Sequence, residues 1–562
     1  MSLQLAVILL LSITACQAPL TGGRDIRVRH GVVVSVDRYA SEIGARVLRD
    51  GGNAVDAAVA VALAMAVTWP QAGNLGGGGF MLVAMADGRT AAIDYRETAP
   101  AAARADLFLN ERGEVDEERA NLGYWPAGVP GTVRGLEAAL DLFGTKSFAE
   151  LVQPALQLAR HGFLVDDDLA RALQEHAEDL KRFPETARVF FNRDGEPLRS
   201  GDILVQEELA ISLETLAREG PAAFYEGRIA QLIAADMARS GALMTLEDLR
   251  SYRARVREPL RLVHEGYEIL TMPPPSSGGV ALAQALLMLG PAGIAEVRTD
   301  SAEFYHLVAE SLRRVFADRA AYLGDPDFVD LPVDWLLSEA HVTELRGSIE
   351  RGRASSSEQF GPPVSPPPEG EQTTHFSVVD AAGNAVANTT TLEEIFGAKV
   401  MVSGTGVLLN NELHDFNVKP GETTTKGRIG TRPNLVAPGK RPLSSMSPTI
   451  VRRDGETVFV TGSPGGRTII STVVLTVLRV IVCGLDPAVA TAAPRIHHQW
   501  QPDILRVEER LGPALREALQ RLGHRLEVGT RQGDTQSIFV DRERGWRRGI
   551  ADDRIDGWAA GY

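Results

Sequence analysis

The sequence has only two cysteines, Cys16 and Cys483, with no C-x-x-C pair and no Cys/His cluster at metal-ligand spacing. That argues against a disulfide framework, and a structural zinc site is not expected. Basic blocks are missing too. The 58 Lys and Arg face 73 Asp and Glu, a formal charge of −15, which argues against nucleic acid or an anionic membrane surface as the main partner. The glycine-rich stretch "PQAGNLGGGGFM" does not fit G-x-G-x-x-G before a helix, and no G-K-[ST] follows it. It is therefore read as close backbone packing rather than a phosphate cradle. Internal repeats are absent, and the N-terminal apolar run, Leu3 to Ile13, is too short to cross a bilayer.

What is present is material for a large soluble enzyme: 562 residues, 44% hydrophobic, enough for one large α/β unit or two or three smaller ones. The leader ends in Ile13-Thr14-Ala15-Cys16, which resembles a bacterial lipobox. Residues 1–15 are read as a signal peptide and Cys16 as a lipidated mature N-terminus, although the leader lacks Lys and Arg. A plain secretory signal is the alternative. Both predict export to the periplasm, and Gln17 fits sorting to the outer membrane.

Asn53 is a good N-cap for an alanine-rich run that ends at Trp69 before Pro70, read as a helix buried on nearly all faces. Helical patterning dominates residues 132–260 and returns at 300–325. After a Ser/Pro/Gly-rich linker at 355–370 the texture turns to strands. This predicts one interwoven α+β fold rather than separate domains.

The linker runs straight into "EQTTHFSVVD". The stretch from Phe376 to Thr391 alternates around Ala381-Ala382-Gly383-Asn384 and reads as a β-hairpin. Pairing Val379 with Ala385 and counting outward sets Thr373 opposite Thr391. Cutting before Thr373 would free an α-amine beside a hydroxyl. The amine can then act as base for the Oγ nucleophile, and the β-branch restricts the orientations of that Oγ. The same hydroxyl can make the cut by attacking the Gln372 carbonyl. Two threonines opening an exposed strand are equally well plain β-formers on this stretch alone.

The motifs "TTHFSVVD", "LLNNELHDF", "KRPLSSMSPTIV" and "VTGSPGGRTIISTV", preceded by "DGGNAVDAAVA", "PQAGNLGGGGFM", "DYRETAP" and "PPPSSGG", resemble the γ-glutamyltranspeptidase family of N-terminal-nucleophile hydrolases. The resemblance runs from about residue 27 to the end. It implies a four-layer αββα sandwich built jointly by two chains of one precursor, residues 16–372 and 373–562, cleaved between Gln372 and Thr373. It implies Thr373 as nucleophile, Thr391 bonded to its hydroxyl, and Gly465 and Gly466 as an oxyanion hole. Arg96 would bind the substrate α-carboxylate with help from Ser444 and Ser445. Asp415, Glu412 and Glu393 would hold its α-ammonium.

The implied activity is γ-glutamyl transfer from glutathione or another γ-glutamyl amide to water or to an amino-acid or peptide amine, without cofactor. Two departures stand out: position 393 is Glu where many relatives carry Asn, and Lys426 stands where lidded relatives carry an aromatic. His375 is read as structural, and His414, His497 and His498 as too isolated for a metal site. A same-fold acylase of the cephalosporin-acylase type, and an uncleaved, non-catalytic envelope protein, are the rival readings.

Overall fold

The computed structural model describes residues 19–360, 373–417 and 432–562. Cys16, Gln372 and Lys426 lie outside them. Fifteen strands form the two large sheets. Before the seam, the expected cleavage point between Gln372 and Thr373, come β1 (Thr21–Gly23), β2 (Asp25–Val28), β3 (Val32–Ser35), β4 (Gly78–Ala84), β5 (Thr90–Asp94), β6 (Arg255–Arg257), β7 (Leu260–His264) and β8 (Tyr267–Thr271). After it come β9 (Thr374–Val379), β10 (Ala385–Thr391), β11 (Thr449–Arg453), β12 (Glu456–Thr461), β13 (Gln536–Asp541), β14 (Trp546–Ala551) and β15 (Trp558–Gly561). One sheet runs β1-β15-β3-β9-β10-β4-β5-β6 and the other β2-β14-β13-β12-β11-β8-β7. Every one of these pairings is antiparallel.

The expected shift from helices to strands at the seam holds only in part, because eight of these strands precede it. The interweaving does hold. The strands after the seam pair directly with strands before it, β9 with β3, β10 with β4 and β11 with β8.

Strand chemistry explains the packing. Along the eight-stranded sheet Val33, Met81, Val83, Phe376, Val378 and Val386 face one apolar core. Val32, Val34, Phe80, Leu82, Val379 and Ala387 face a second. Side chains alternate across a strand, so strands apolar at every position are buried on both faces. The second core is shared with the other sheet: β9 packs on β13, β3 on β14 and β10 on β12.

Helices cover the first core. α1 (Arg38–Arg49) packs on β3, α2 (Ala54–Thr68) on β9 and β10, and α3 (Thr132–Phe143) on β4. On the other side α4 (Gly278–Leu289) packs against β7 and against the helices α5 (Ala302–Tyr322) and α6 (Thr468–Val477). α2 is the buried helix predicted from its composition. All its residues are buried, and Asn53 caps it in a box with Asp56.

The linker is shorter than the sequence implies. Ser357–Phe360 forms a 3-10 turn, and Ser357 is buried, its N–H donating to Asp503 (2.8 Å) and its carbonyl accepting from Trp500 Nε1 (2.9 Å). Arg314 donates to Ser355 (3.1 Å) and lies 4.9 Å over the Phe360 ring. Ser and Pro composition alone does not reveal these partners, which lie far away in the chain.

The glycine loop does pack by backbone approach. A Cβ on Gly77 would lie 2.1 Å from the Thr391 carbonyl oxygen, and that atom belongs to the end of β10, which cannot yield like a flexible side chain. Gly77→Ala is therefore expected to destabilise the protein by roughly 1–3 kcal/mol, as overpacking does, read as a lowered urea midpoint. An unchanged midpoint would contradict this packing.

Candidate active site

β9 and β10 pair with Val379 opposite Ala385 and Thr374 opposite Thr390, so the counted register is the observed one and its next step faces Thr373 with Thr391. Parity fixes the side. Thr373 shares a face with His375, Ser377 and Val379, the face turned toward the seven-stranded sheet. That face carries a file of buried polar groups. His375 Nδ1 lies 2.8 Å from Thr389 Oγ1, its Nε2 lies 3.1 Å from Ser377 Oγ, and Ser377 donates across the sheets to the Gln536 carbonyl (2.7 Å). Burial pushes the His375 imidazole down to about 3. It stays neutral and bonded, as a structural histidine should.

Thr373 is buried and lines a small cavity with Gly465, Pro464, Gly533, Asp534, Arg531, Trp69, Val36 and Ile555. Gly465 and Gly466 hold φ of 123° and 54°, left-handed values that suit glycine. Among the described residues neither of their N–H groups donates to a backbone carbonyl. The turn that carries them is set by Thr468, whose N–H and hydroxyl both reach the Gly465 carbonyl (3.0 and 2.6 Å). Backbone amides not committed to a carbonyl of the protein can stabilise a developing oxyanion that comes within their reach.

The predicted substrate-binding residues form a second group. Arg96 is buried, ion-paired with Glu412 and, at 2.5 Å, with Asp415, and Glu97 lies 3.9 Å away. Desolvation opposes the Arg96 charge, but Glu412 and Asp415 outweigh it and hold the guanidinium above its ordinary value. In this structure the fork expected to take a carboxylate therefore holds the two acids expected to take an ammonium.

Glu393 sits just past β10 at φ 80°, a left-handed conformation that asparagine tolerates better than glutamate. Burial, with Glu394 and Asp415 close by, pushes its carboxyl well above the usual range. Among the described residues its Oε2 has no hydrogen-bond partner. Burial likewise raises Glu412, despite Arg96. Three carboxyls, Glu97, Glu412 and Asp415, around one guanidinium make a site short of positive charge.

Ser444 and Ser445 adjoin this group through the chain, since Arg96 reaches the Pro442 and Leu443 carbonyls (3.4 and 3.5 Å). The Ser444 carbonyl accepts from the Ser277 N–H (2.8 Å) and hydroxyl (2.6 Å), which ties "PPPSSGG" to "PLSSMSP". Ser445 Oγ accepts from Arg319 (3.2 Å).

His414, isolated in the sequence, lies 3.7 Å from Glu393. Its donor atom and those of Glu393 and Glu394 lie within 4.8 Å of one another, so its reading as isolated is corrected by folding. Lys399, 3.5 Å from Glu394, gives that cluster a cation of its own. His498 lies 3.3 Å from Asp503, and His497 lies 2.5 Å from Ser471.

Sequence reasoning missed Asn74, whose Nδ2 donates to the Thr391 carbonyl (2.8 Å) while its Oδ1 accepts from the Gly77 N–H (2.9 Å) and the Thr132 hydroxyl (2.7 Å). It also missed Glu97 and Arg319. An asparagine in a glycine loop was the only signal for Asn74.

Burial raises the Glu97 carboxyl to about 7 from an ordinary 4.5. The folded chain thus holds that proton more tightly than the unfolded one. The resulting stabilisation is complete below the unfolded pKa and is lost as pH rises through the folded one. Glu97→Gln should therefore flatten the fall in unfolding free energy between about pH 4.5 and about pH 7, followed by urea midpoints across that window. An equal slope in both proteins would contradict the burial argument.

The profile of the gamma-glutamyltranspeptidase family matches residues 40–562. The glutathione hydrolase proenzyme of Escherichia coli (strain K12) is 46% identical over 538 residues, 96% of this chain and 93% of that protein. Among solved structures, the cephalosporin acylase from Bacillus halodurans superposes with a TM-score of 0.83 at 26% identity, covering 96% of this chain and 97% of that one. The γ-glutamyltranspeptidase of Helicobacter pylori gives 0.57 at 40% identity, over 58% of this chain and 93% of that one. With Thr373 facing Thr391 and with this extent of likeness, the chain belongs to the γ-glutamyltranspeptidase family.

Proposed function

We propose that the protein is an exported, self-processed γ-glutamyltransferase and glutathione hydrolase with the four-layer αββα architecture of its superfamily. Its large chain would end at Gln372 and its small chain begin at Thr373. The observation that carries this reading is Thr373 immediately before β9, buried in a cavity shared with Gly465, where one further step of the β9–β10 register leads to Thr391. Relatives named as glutathione hydrolase proenzymes support it.

Maturation starts with Thr373 Oγ attacking the Gln372 carbonyl. The acyl group moves from N to O, and water hydrolyses the ester. Turnover repeats this chemistry on a substrate. The freed α-amine takes the proton of Thr373 Oγ. The oxygen then adds to the γ-amide carbonyl, whose oxyanion meets the Gly465 and Gly466 N–H groups. The leaving amine departs with the proton, leaving a γ-glutamyl ester. Water or an amino-acid or peptide amine then takes the acyl group.

Arg96, with Ser444 and Ser445, would receive the α-carboxylate, and Asp415, Glu412 and Glu393 the α-ammonium. The deficit of positive charge around Arg96 favours a substrate that brings a cation. Export and a lipid anchor at Cys16 rest on the leader alone, and no helix among the described residues is long and apolar enough to cross a membrane.

The likeness to a cephalosporin acylase keeps one rival, an acylase that needs no α-ammonium. Glutamate γ-anilide and the glutarate anilide lacking the α-amine separate the two. The acidic cluster predicts a loss of kcat/KM of at least about tenfold without the amine, about 1.4 kcal/mol. Equal turnover of both would favour the acylase. Thr373→Ala should abolish both cleavage and turnover, read by intact mass under denaturing conditions and by amine release. A cleaved, active Ala variant would overturn the assignment.

A further inference from the structure

Asp534 has no place in the chemistry described so far, yet it lines the Thr373 cavity. It is buried, 4% exposed. Its N–H donates to Ser463 Oγ (3.0 Å), which holds the backbone, and its Oδ1 accepts from Gln536 Nε2 (3.1 Å), which holds the carboxyl. The other walls, Val36, Trp69, Pro464 and Ile555, offer no charge, and Arg531 supplies the cavity's cation. The cavity measures about 20 Å³, room for about one water-sized group.

We propose that Asp534 is the carboxylate that receives the α-amine freed on Thr373 by cleavage, orienting its lone pair toward the Oγ. The inference rests on the maturation proposed above. Hydrolysis adds OH to the Gln372 carbonyl carbon and H to the Thr373 nitrogen. An uncharged amide nitrogen becomes an amine that binds a further proton from solvent below its pKa, about 8 when free. A new cation thus arises on a residue that is itself buried.

Desolvation penalises an isolated ammonium there, and a facing carboxylate offsets that penalty. In the uncut chain the Asp534 carboxyl is raised to about 6, by burial first and by Asp552, against the pull of Arg531, Gln536 and Arg495. Arg531 offsets that burial only in part, and the released amine supplies a second cation. Asp534 is thus a positioning residue that acts through the base. By facing the amine it raises the pH at which the amine loses its proton and becomes able to accept one from Oγ.

The test is the acid limb of kcat/KM, which reports the free enzyme's base, measured with a chromogenic γ-glutamyl anilide on protein shown by intact mass to be cleaved. Asp534→Asn should move that limb about one pH unit lower, and Asp534→Glu should restore it toward the parent. Arg531→Gln should move the limb the other way, and it serves alone if the Asn variant does not fold or mature. A limb that stays in place in a cleaved Asp534→Asn protein, or in Arg531→Gln when only that variant matures, overturns the role of Asp534. A parent chain that never splits would instead overturn the maturation on which the inference rests.

Discussion

The head of β9 depends on the register between β9 and β10. Side chains alternate faces along a strand, so slipping the pair by one residue would turn Thr373 toward α2 and carry His375 and Ser377 out of the polar file between the sheets. The register is held at both ends. At the turn, Asp380 accepts from the N–H groups of Ala382 and Asn384 (2.9 and 3.0 Å) and from Ala54 at the start of α2 (3.0 Å). At the open end, Asn74 grips the Thr391 carbonyl, and the glycines beside it let β4 close against β10. A residue at the head of a central strand that pairs with β10 from Thr374 and with β3 from Phe376 has little freedom to drift. That rigidity suits chemistry that needs tenths of an ångström.

The electrostatics of the second group follow from burial as much as from composition. One guanidinium cannot neutralise Glu97, Glu412 and Asp415 together, and Lys399 is shared by Glu394 and Glu393. In the low-dielectric surroundings the excess is relieved by holding protons, which is why burial raises Glu97, Glu393 and Glu412. Such a cluster is costly to the fold and useful to a site. In the proposed function a ligand ammonium entering it would supply the missing positive charge, and a ligand carboxylate would have to reach the guanidinium fork. The left-handed Glu393 fits the same logic, a strained residue whose buried carboxyl lies against His414.

The hairpin was legible because it is local: period-2 alternation, a four-residue turn and a count of six positions set two threonines face to face. α2 was legible for the same reason, its cap and its all-apolar surface lying within one stretch. The roles of Arg96, Glu412, Asp415 and the two serines came from likeness to a family, since an arginine after a strand and a Ser-Ser turn are ordinary alone. Asn74 was not legible, because its partner Thr391 lies 317 residues away. His414 looked isolated for the same reason, and the Arg314 contacts hid the order in the first part of the linker. Residues whose roles arise only from long-range contact leave no local pattern to read.

The topology also explains how a chain could be cut at its catalytic residue and still hold that residue in place. Both large sheets draw strands from before and after the seam, and cross-seam ladders join β3 to β9, β4 to β10, β8 to β11, β2 to β14 and β1 to β15. A break between Gln372 and Thr373 would leave all of these ladders and both apolar cores in place. The two pieces would share one core rather than touch at a surface, as in obligate assemblies. The conformational freedom gained at the break would be confined to the ends that flank it. Ser357, with its N–H on Asp503 and its carbonyl on Trp500, limits that freedom on the upstream side. The β9 register limits it on the other, so the new N-terminus would stay at the head of β9.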